Sequence, residues 1–244
     1  MLTFGMMGEA KASLEASVAH LRALGDTFWI AYPLGNLGRL ALHEGDLDKA
    51  HERISESVAI THQSGNRGGI ADWLLRLGQV QLYRGELAEA EMNLRETLRL
   101  YEDTDNVFGS PGVLSNLALV AVEQGDVGTA VSLIQDCFTR YNKLRYETRK
   151  VDFSADFLEL GDTLDSFLHA GFVAYAQGDW QTAVSFFTFF ENNERGHVVI
   201  RPLWEKVTVA KANVQANLSP DAYMAAVTQA QQLTLDQLLA LWQA

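Results

Sequence analysis

Apolar residues recur along this chain at spacings of three and four, the period of a helix rather than the alternation of a strand. Between residues 33 and 44, Leu34, Leu37 and Ala41 fall on one stripe, and between 47 and 60 so do Leu47, Ala50, Ile54 and Val58. Gly45 and Asp46 separate the stripes. A glycine can end one helix in left-handed backbone, and a carboxylate complements the N-terminal dipole of the next. The whole arrangement returns forty residues on. Leu37-Gly38 recurs as Leu77-Gly78 and Leu117-Ala118, Gly45-Asp46-Leu47 as Gly85-Glu86-Leu87 and Gly125-Asp126-Val127, and Ala50 as Ala90 and Ala130. A weaker copy at Gly171, Gly178, Asp179, Trp180 and Ala183 is displaced by fifty-three residues. Gly5 and Ala10 fall on the same register one period earlier, which makes Gly5 a turn glycine and residues 1–4 the stub of a helix.

Each copy therefore predicts two antiparallel helices joined by a tight turn. Ala50, Ala90 and Ala130, with Gly38 and Gly78, are expected where helices cross. Only a small side chain permits that approach, despite a helix-propensity cost of about 1 kcal/mol per glycine. Helix pairs that each bury one apolar face on a neighbour stack into a solenoid. The predicted fold is all-α and a single domain over 1–244. It begins with a half repeat at 1–24 and continues with full repeats at 25–64, 65–104 and 105–144. A displaced repeat at 145–196 and capping helices at 197–244 follow. Thirteen extra residues fall somewhere in 141–160.

The order Leu-Gly, Gly-Asp, Ala in antiparallel helix pairs resembles the tetratricopeptide repeat, here stretched from the usual length of about 34 residues to forty. With linkers such as Leu24-Gly25-Asp26 and Ser64-Gly65-Asn66, the stretched form resembles the C-terminal sensor region of LuxR-type and related bacterial signal-transduction ATPases. The tail is similar too: an aromatic segment at 187–196, Pro202, and a last helix opened by Leu233-Thr234-Leu235-Asp236. The resemblance implies a protein- or peptide-binding module in a bacterial signalling or transcriptional regulator. It does not extend to the ATPase. There is no GxxxxGK[ST], and Gly65-Asn66-Arg67-Gly68-Gly69 is a linker with no Lys-Ser/Thr after it. The register also begins mid-repeat, which predicts a larger parent protein or a first helix, 8–24, covered by a second copy as a homodimer. A scaffold that oligomerises through that edge is the alternative reading.

Composition narrows the partners. The 244 residues carry 19 Lys and Arg against 31 Asp and Glu, a net charge of −12, which argues against a nucleic-acid binder dependent on phosphate contacts. No apolar run approaches a membrane span, and the N-terminus lacks the basic and apolar regions of a secretory signal. One cysteine excludes an intramolecular disulfide, so a reducing, cytoplasmic setting is expected.

Catalytic chemistry is not legible, and the chain reads as a non-enzyme. The six histidines show no metal-ligand spacing, no GxSxG occurs, and no cofactor is implied. Cys137 shares its register with Ser57 and Thr97, a small-residue packing slot. The five tryptophans follow no common register and are read as filling gaps between helices; Phe186, Phe187, Phe189 and Phe190 read as core. The polar face of the first helix in each copy is more informative. Opposite the apolar stripe lie Tyr32, Asn36, Arg39 and His43, then Asp72, Arg76, Gln79 and Tyr83, then Gly112, Asn116, Leu119 and Glu123. The displaced copy adds Asp165, His169, Phe172 and Ala176. In repeats of the family resembled, this face lines the concave surface, and the resemblance implies that it holds a peptide. Asn36, Arg76 and Asn116 would form a ladder at one depth, with amides for backbone and a guanidinium for a carboxylate. A second candidate, Arg140, Lys143, Arg145, Arg149 and Lys150, gathers five bases in eleven residues; it would dock an acidic partner or an acidic face of the chain, or else form a solvated helix end where cations suit the C-terminal dipole.

Overall fold

A computed structural model describes residues 4–104, 106–147, 161–193 and 199–242, and among them there are helices and turns but no strand. The chain divides into two compact units: Met1–Asp105 with Val198–Leu203, and Asn106–His197 with Trp204–Ala244.

The first unit contains α1 (Phe4–Leu24), α2 (Ala31–Glu44), α3 (Leu47–Ser64), α4 (Arg67–Arg84) and α5 (Leu87–Asp103). α2 packs on α3, α4 on α5, and α3 on α4, the expected succession of antiparallel pairs. Every turn joining α1 to α5 is built alike. Gly25, Gly45, Gly65 and Gly85 take φ between 66° and 82°, where a Cβ would be strained. A polar side chain then caps the next helix in two of them: Asp46 accepts from the Lys49 N–H at 3.2 Å and Asn66 from the Gly69 N–H at 3.1 Å. Glu86 stands at the equivalent position but turns to Arg84, which donates to it at 2.6 Å.

Gly5 is not a turn. α1 runs through it from Phe4; the residues after Gly5 are Met6 and Met7, whereas the turn glycines at 25, 45, 65 and 85 are each followed by a polar Asp, Asn or Glu. Val18 is buried in a cluster with Ile30 and Leu34, and Leu21, Leu37 and Ile60 close around it.

The helix crossings use the small residues as expected. Ala50, Ala90 and Ala130 are fully buried. A Cβ on Gly38 would lie 2.5 Å from Ile54 Cγ1 and 3.2 Å from the Ala50 carbonyl oxygen; on Gly78 it would lie 2.8 Å from Leu94 Cγ. The slot shared by Ser57, Thr97 and Cys137 is buried in each copy. Ser57 Oγ donates to the Ala31 carbonyl at 2.7 Å, tying the second helix of its pair to the start of the first.

The second unit holds α6 (Ser110–Glu123), α7 (Val127–Glu147), α8 (Gly161–Gln177), α9 (Trp180–Asn193), most of α10 (Arg201–Asn217), α11 (Pro220–Ala230) and α12 (Leu235–Ala240). The insertion begins as a longer helix, since α7 continues to Glu147. The closing segment comprises α10, α11 and α12, and the last opens with a capping box between Thr234 and Gln237. The core here is aromatic. Phe138 stacks on Phe186 at 5.8 Å, and Phe167 contacts both while also meeting Phe189 at 5.2 Å and Tyr141 at 6.1 Å. Trp242 closes on Phe186 from the C-terminal end at 6.2 Å.

Candidate binding face

In the first unit the polar face of α2 and α4 is accessible. Tyr32, Arg39 and Asp72 are exposed, Asn36, His43, Arg76 and Tyr83 are half-buried, and Gln79 is buried. Most of these side chains are held in place by their own surroundings. Asn36 donates one amide N–H to the Tyr32 carbonyl at 2.9 Å, which leaves the second N–H and the carbonyl oxygen of its side chain. Arg76 donates to Gln79 Oε1 at 3.0 Å, one turn along α4. Asp72 accepts from the Tyr101 hydroxyl at 3.1 Å, and Asn66 Nδ2 donates to the Tyr32 hydroxyl at 3.1 Å. Going along α2 and α4 from their N-termini, the face begins with Tyr32 and Asp72 and becomes cationic at Arg39 and Arg76. Near its far end, the turn at Gly45 is overlaid by the aliphatic part of Arg201, 3.2 Å from where a Cβ would stand.

The same register in the second unit is interior. Asn116, Leu119 and His169 are buried, at 2%, 0% and 1% exposure, because α6 packs against α7 on one side and α8 on another. Asn116 repeats the back-bond of Asn36, donating to the Gly112 carbonyl at 2.8 Å, and its Oδ1 is buried without a hydrogen-bond partner. Asp165 and Phe172 are buried as well. Ser166 Oγ donates to Ser115 Oγ at 2.9 Å, and His169 Nδ1 lies 3.1 Å from the same hydroxyl. This serine–histidine chain ties α8 to α6. Glu123 alone is exposed here, paired with Lys206 of α10 at 2.6 Å.

Of the basic cluster, Arg140 is paired with Asp136 one turn back at 3.2 Å, and Lys143 lies on the same helix. Arg145 falls within α7, while Arg149 and Lys150 lie outside the described residues.

Cys137 is fully buried, and desolvation pushes its thiol up to about 12, only partly opposed by a hydrogen bond with Ser166. The thiolate is the reactive species, so iodoacetamide at pH 8 is expected to leave the folded protein unmodified and to label it after unfolding in urea. Labelling of the native protein at the unfolded rate would refute the burial. Because the folded value lies above the ordinary 9.0, the stabilisation from the neutral thiol is complete below about pH 9 and is lost as pH rises towards 12.

Two features of the first unit escaped the sequence reading. Trp29 and Phe28 do not fill a gap between helices: Trp29 is 59% exposed and Phe28 39%. Trp204, on α10 of the second unit, is likewise 40% exposed. A cleft of about 220 Å³ also opens between α1, α2 and α3, with Val18 and Leu37 on its floor and Lys11, Arg22, Glu44 and Arg53 at its rim. Its mouth is spanned by an ion pair between Lys11 and Glu44 at 3.2 Å. Neither feature repeats at forty residues, so periodicity carried no signal for them. Among the described residues no three His, Cys, Asp or Glu side chains converge to hold a metal ion, and no helix is long and apolar enough to cross a membrane.

Antiparallel helix pairs on a forty-residue register, with a side-chain-lined face on the first helix of each pair, define an α-helical repeat protein. Residues 29–103 match a family model described as Tetratricopeptide repeat, and residues 111–136 match a second with the same description. These segments carry tetratricopeptide repeats. The crystal structure of BtubC (BKLC) from P. vanneervenii is similar over 93% of this chain and 90% of that one, with a TM-score of 0.60 and 15% sequence identity. At that identity the likeness is one of fold. No curated protein matches the chain.

Proposed function

We propose that the chain binds an extended peptide segment of a partner protein on the α2–α4 face of its first unit. Tetratricopeptide repeats generally mediate protein–protein interaction and serve as scaffolds rather than catalysts. The observation that carries the reading is the contrast between the two units. The same register is open to solvent at Tyr32, Arg39 and Asp72 and covered at Asn116, Leu119 and His169. The binding residues proposed are therefore Asn36, Arg39, Asp72 and Arg76, with Tyr32 at the edge. Asn36 supplies an amide to a peptide backbone, and Arg39 and Arg76 supply guanidinium groups to a carboxylate. The resemblance of the stretched repeat to regulator sensor regions supports a setting in a bacterial signalling or transcriptional regulator, where this face reads the presence of a partner.

Pools of fluorescein-labelled nonapeptides, measured by anisotropy against the full chain, test the face directly. Micromolar binding is expected for a subset of pools. Asn36→Ala combined with Arg76→Ala is expected to weaken it about tenfold or more, since hydrogen bonds to charged groups contribute roughly 1.5–3 kcal/mol each. Binding unchanged in that variant, or no pool bound, overturns the proposal.

A further inference from the structure

Where the accessible face begins, the chain exposes three aromatic side chains in contact. Phe28 and Trp29 meet edge to face at 5.1 Å, and Trp29 and Tyr32 lie 5.9 Å apart with their planes 33° from parallel. Behind them Tyr32 rests on Trp73 of α4 at 6.2 Å, and Trp73 is buried. Among the described residues, the other exposed aromatic side chains, Phe108 and Trp204, enter no described ring pair.

The group is also rigidly held. The Asp26 carboxylate accepts from the Phe28 and Trp29 backbone N–H groups at 2.9 and 2.8 Å, which fixes the turn that carries both rings. Asn66 holds the Tyr32 hydroxyl in place. Ordered before binding, the surface costs little conformational entropy to use, which is why tyrosine and tryptophan dominate binding hot spots. Its charge environment is acidic. Asp26 lies in the turn that carries Phe28 and Trp29, and Asp72 immediately precedes Trp73, the ring on which Tyr32 rests. Arg67, on the first turn of α4, is engaged with Asp103 at 2.6 Å. A negatively polarised aromatic face beside carboxylates attracts a guanidinium or ammonium group, and the chain's net charge of −12 acts in the same sense at longer range.

We infer that Trp29 and Tyr32 form a platform that takes an arginine or lysine side chain of the partner segment. The inference rests on the peptide-binding reading above and gives it a polarity. The basic residue lies at the Trp29 end, and any acidic group of the ligand lies towards Arg39 and Arg76.

Two measurements on the full chain test it. In the first, the Trp29 indole N–H resonance, identified by its loss in Trp29→Phe, is followed while N-acetylarginine methylamide is added. A shift with this compound and none with the uncharged N-acetylcitrulline methylamide is expected. Equal shifts, or none, overturn the platform. The second uses nonapeptide pools with one fixed central residue. Arg and Lys pools are expected to bind best, and Trp29→Ala to weaken them about tenfold, within the range of a partly desolvated cation–π contact. Trp29→Phe retains most of the binding, and an unchanged melting temperature shows that the exposed residue was not supporting the fold. If Trp29→Ala binds normally while Asn36→Ala with Arg76→Ala does not, the platform fails and the peptide face stands. The opposite result keeps the platform and removes the face. A preference for Glu-centred pools overturns the basic-residue assignment, and retention of no pool overturns both.

Discussion

Phe167→Ala is expected to destabilise the second unit by about 3–5 kcal/mol, the range for truncating a buried phenylalanine. Phe167 is fully buried and its ring meets Phe138 and Tyr141 of α7 and Phe186 and Phe189 of α9. It is therefore the shared contact of three helices. Two terms add on its removal: the apolar transfer energy of the ring and the empty space left behind. The second is large only where neighbours cannot move in. Here Phe138 and Phe186 are already stacked with planes 7° apart, and Trp242 backs Phe186, so neither ring can swing across without giving up an existing partner. Urea titration followed by circular dichroism should show the loss as a lowered midpoint at unchanged slope. Phe167→Leu, which keeps most of the volume, should lose much less. A cost below about 1 kcal/mol for the alanine variant would mean that the cluster closes over the gap and that the packing described is not the source of stability.

The aromatic cluster shows where sequence reading succeeded and where it ran out. That the run from Phe186 to Phe190 is core followed from its density on one helix. That Phe167 is its centre did not, because α8 belongs to the copy displaced by fifty-three residues and pairing across that displacement cannot be read from a forty-residue register. The helix pairs, their turn glycines and their small-residue crossings were legible because each recurs, and recurrence separates a structural requirement from chance. The binding face was legible only in part. The shared register shows in the bond that Asn36 and Asn116 each donate to the carbonyl four residues back, yet accessibility depends on what packs against that face. α6 meets both α7 and α8, which is a tertiary fact with no periodic signature. Gly5 illustrates the converse error. Gly5 is followed by Met6, whereas the turn glycines at 25, 45, 65 and 85 are each followed by a polar Asp, Asn or Glu.

Gly35→Ala is expected to destabilise the first unit by about 1–2 kcal/mol, although alanine is the better helix former by about 1 kcal/mol. A Cβ at this position would lie 2.5, 2.6 and 2.7 Å from Trp73 Cζ3, Cη2 and Cε3. The obstacle is the flat of a buried indole, not the end of a flexible chain, so the ring as a whole has to shift. Overpacking of this kind costs roughly 1–3 kcal/mol, which exceeds the propensity gain. Gly68→Ala supplies the control. Its Cβ would meet nothing closer than 3.8 Å, on the first turn of α4, so the same chemical change should be neutral or stabilising there. The origin of the cost can be tested with a double-mutant cycle, because Gly35→Ala should be nearly free of penalty in a Trp73→Leu background, where the indole is gone. An equal cost in both backgrounds would place the strain elsewhere. The variant also links fold to binding. Trp73 is the support on which Tyr32 rests, so displacing it moves one wall of the Trp29–Tyr32 platform. Gly35→Ala protein that remains folded should therefore bind Arg- and Lys-centred peptides more weakly than the parent chain, while Gly68→Ala binds them as well. A glycine that looks like a helix defect would then be the residue that lets a buried tryptophan hold an exposed binding surface in place.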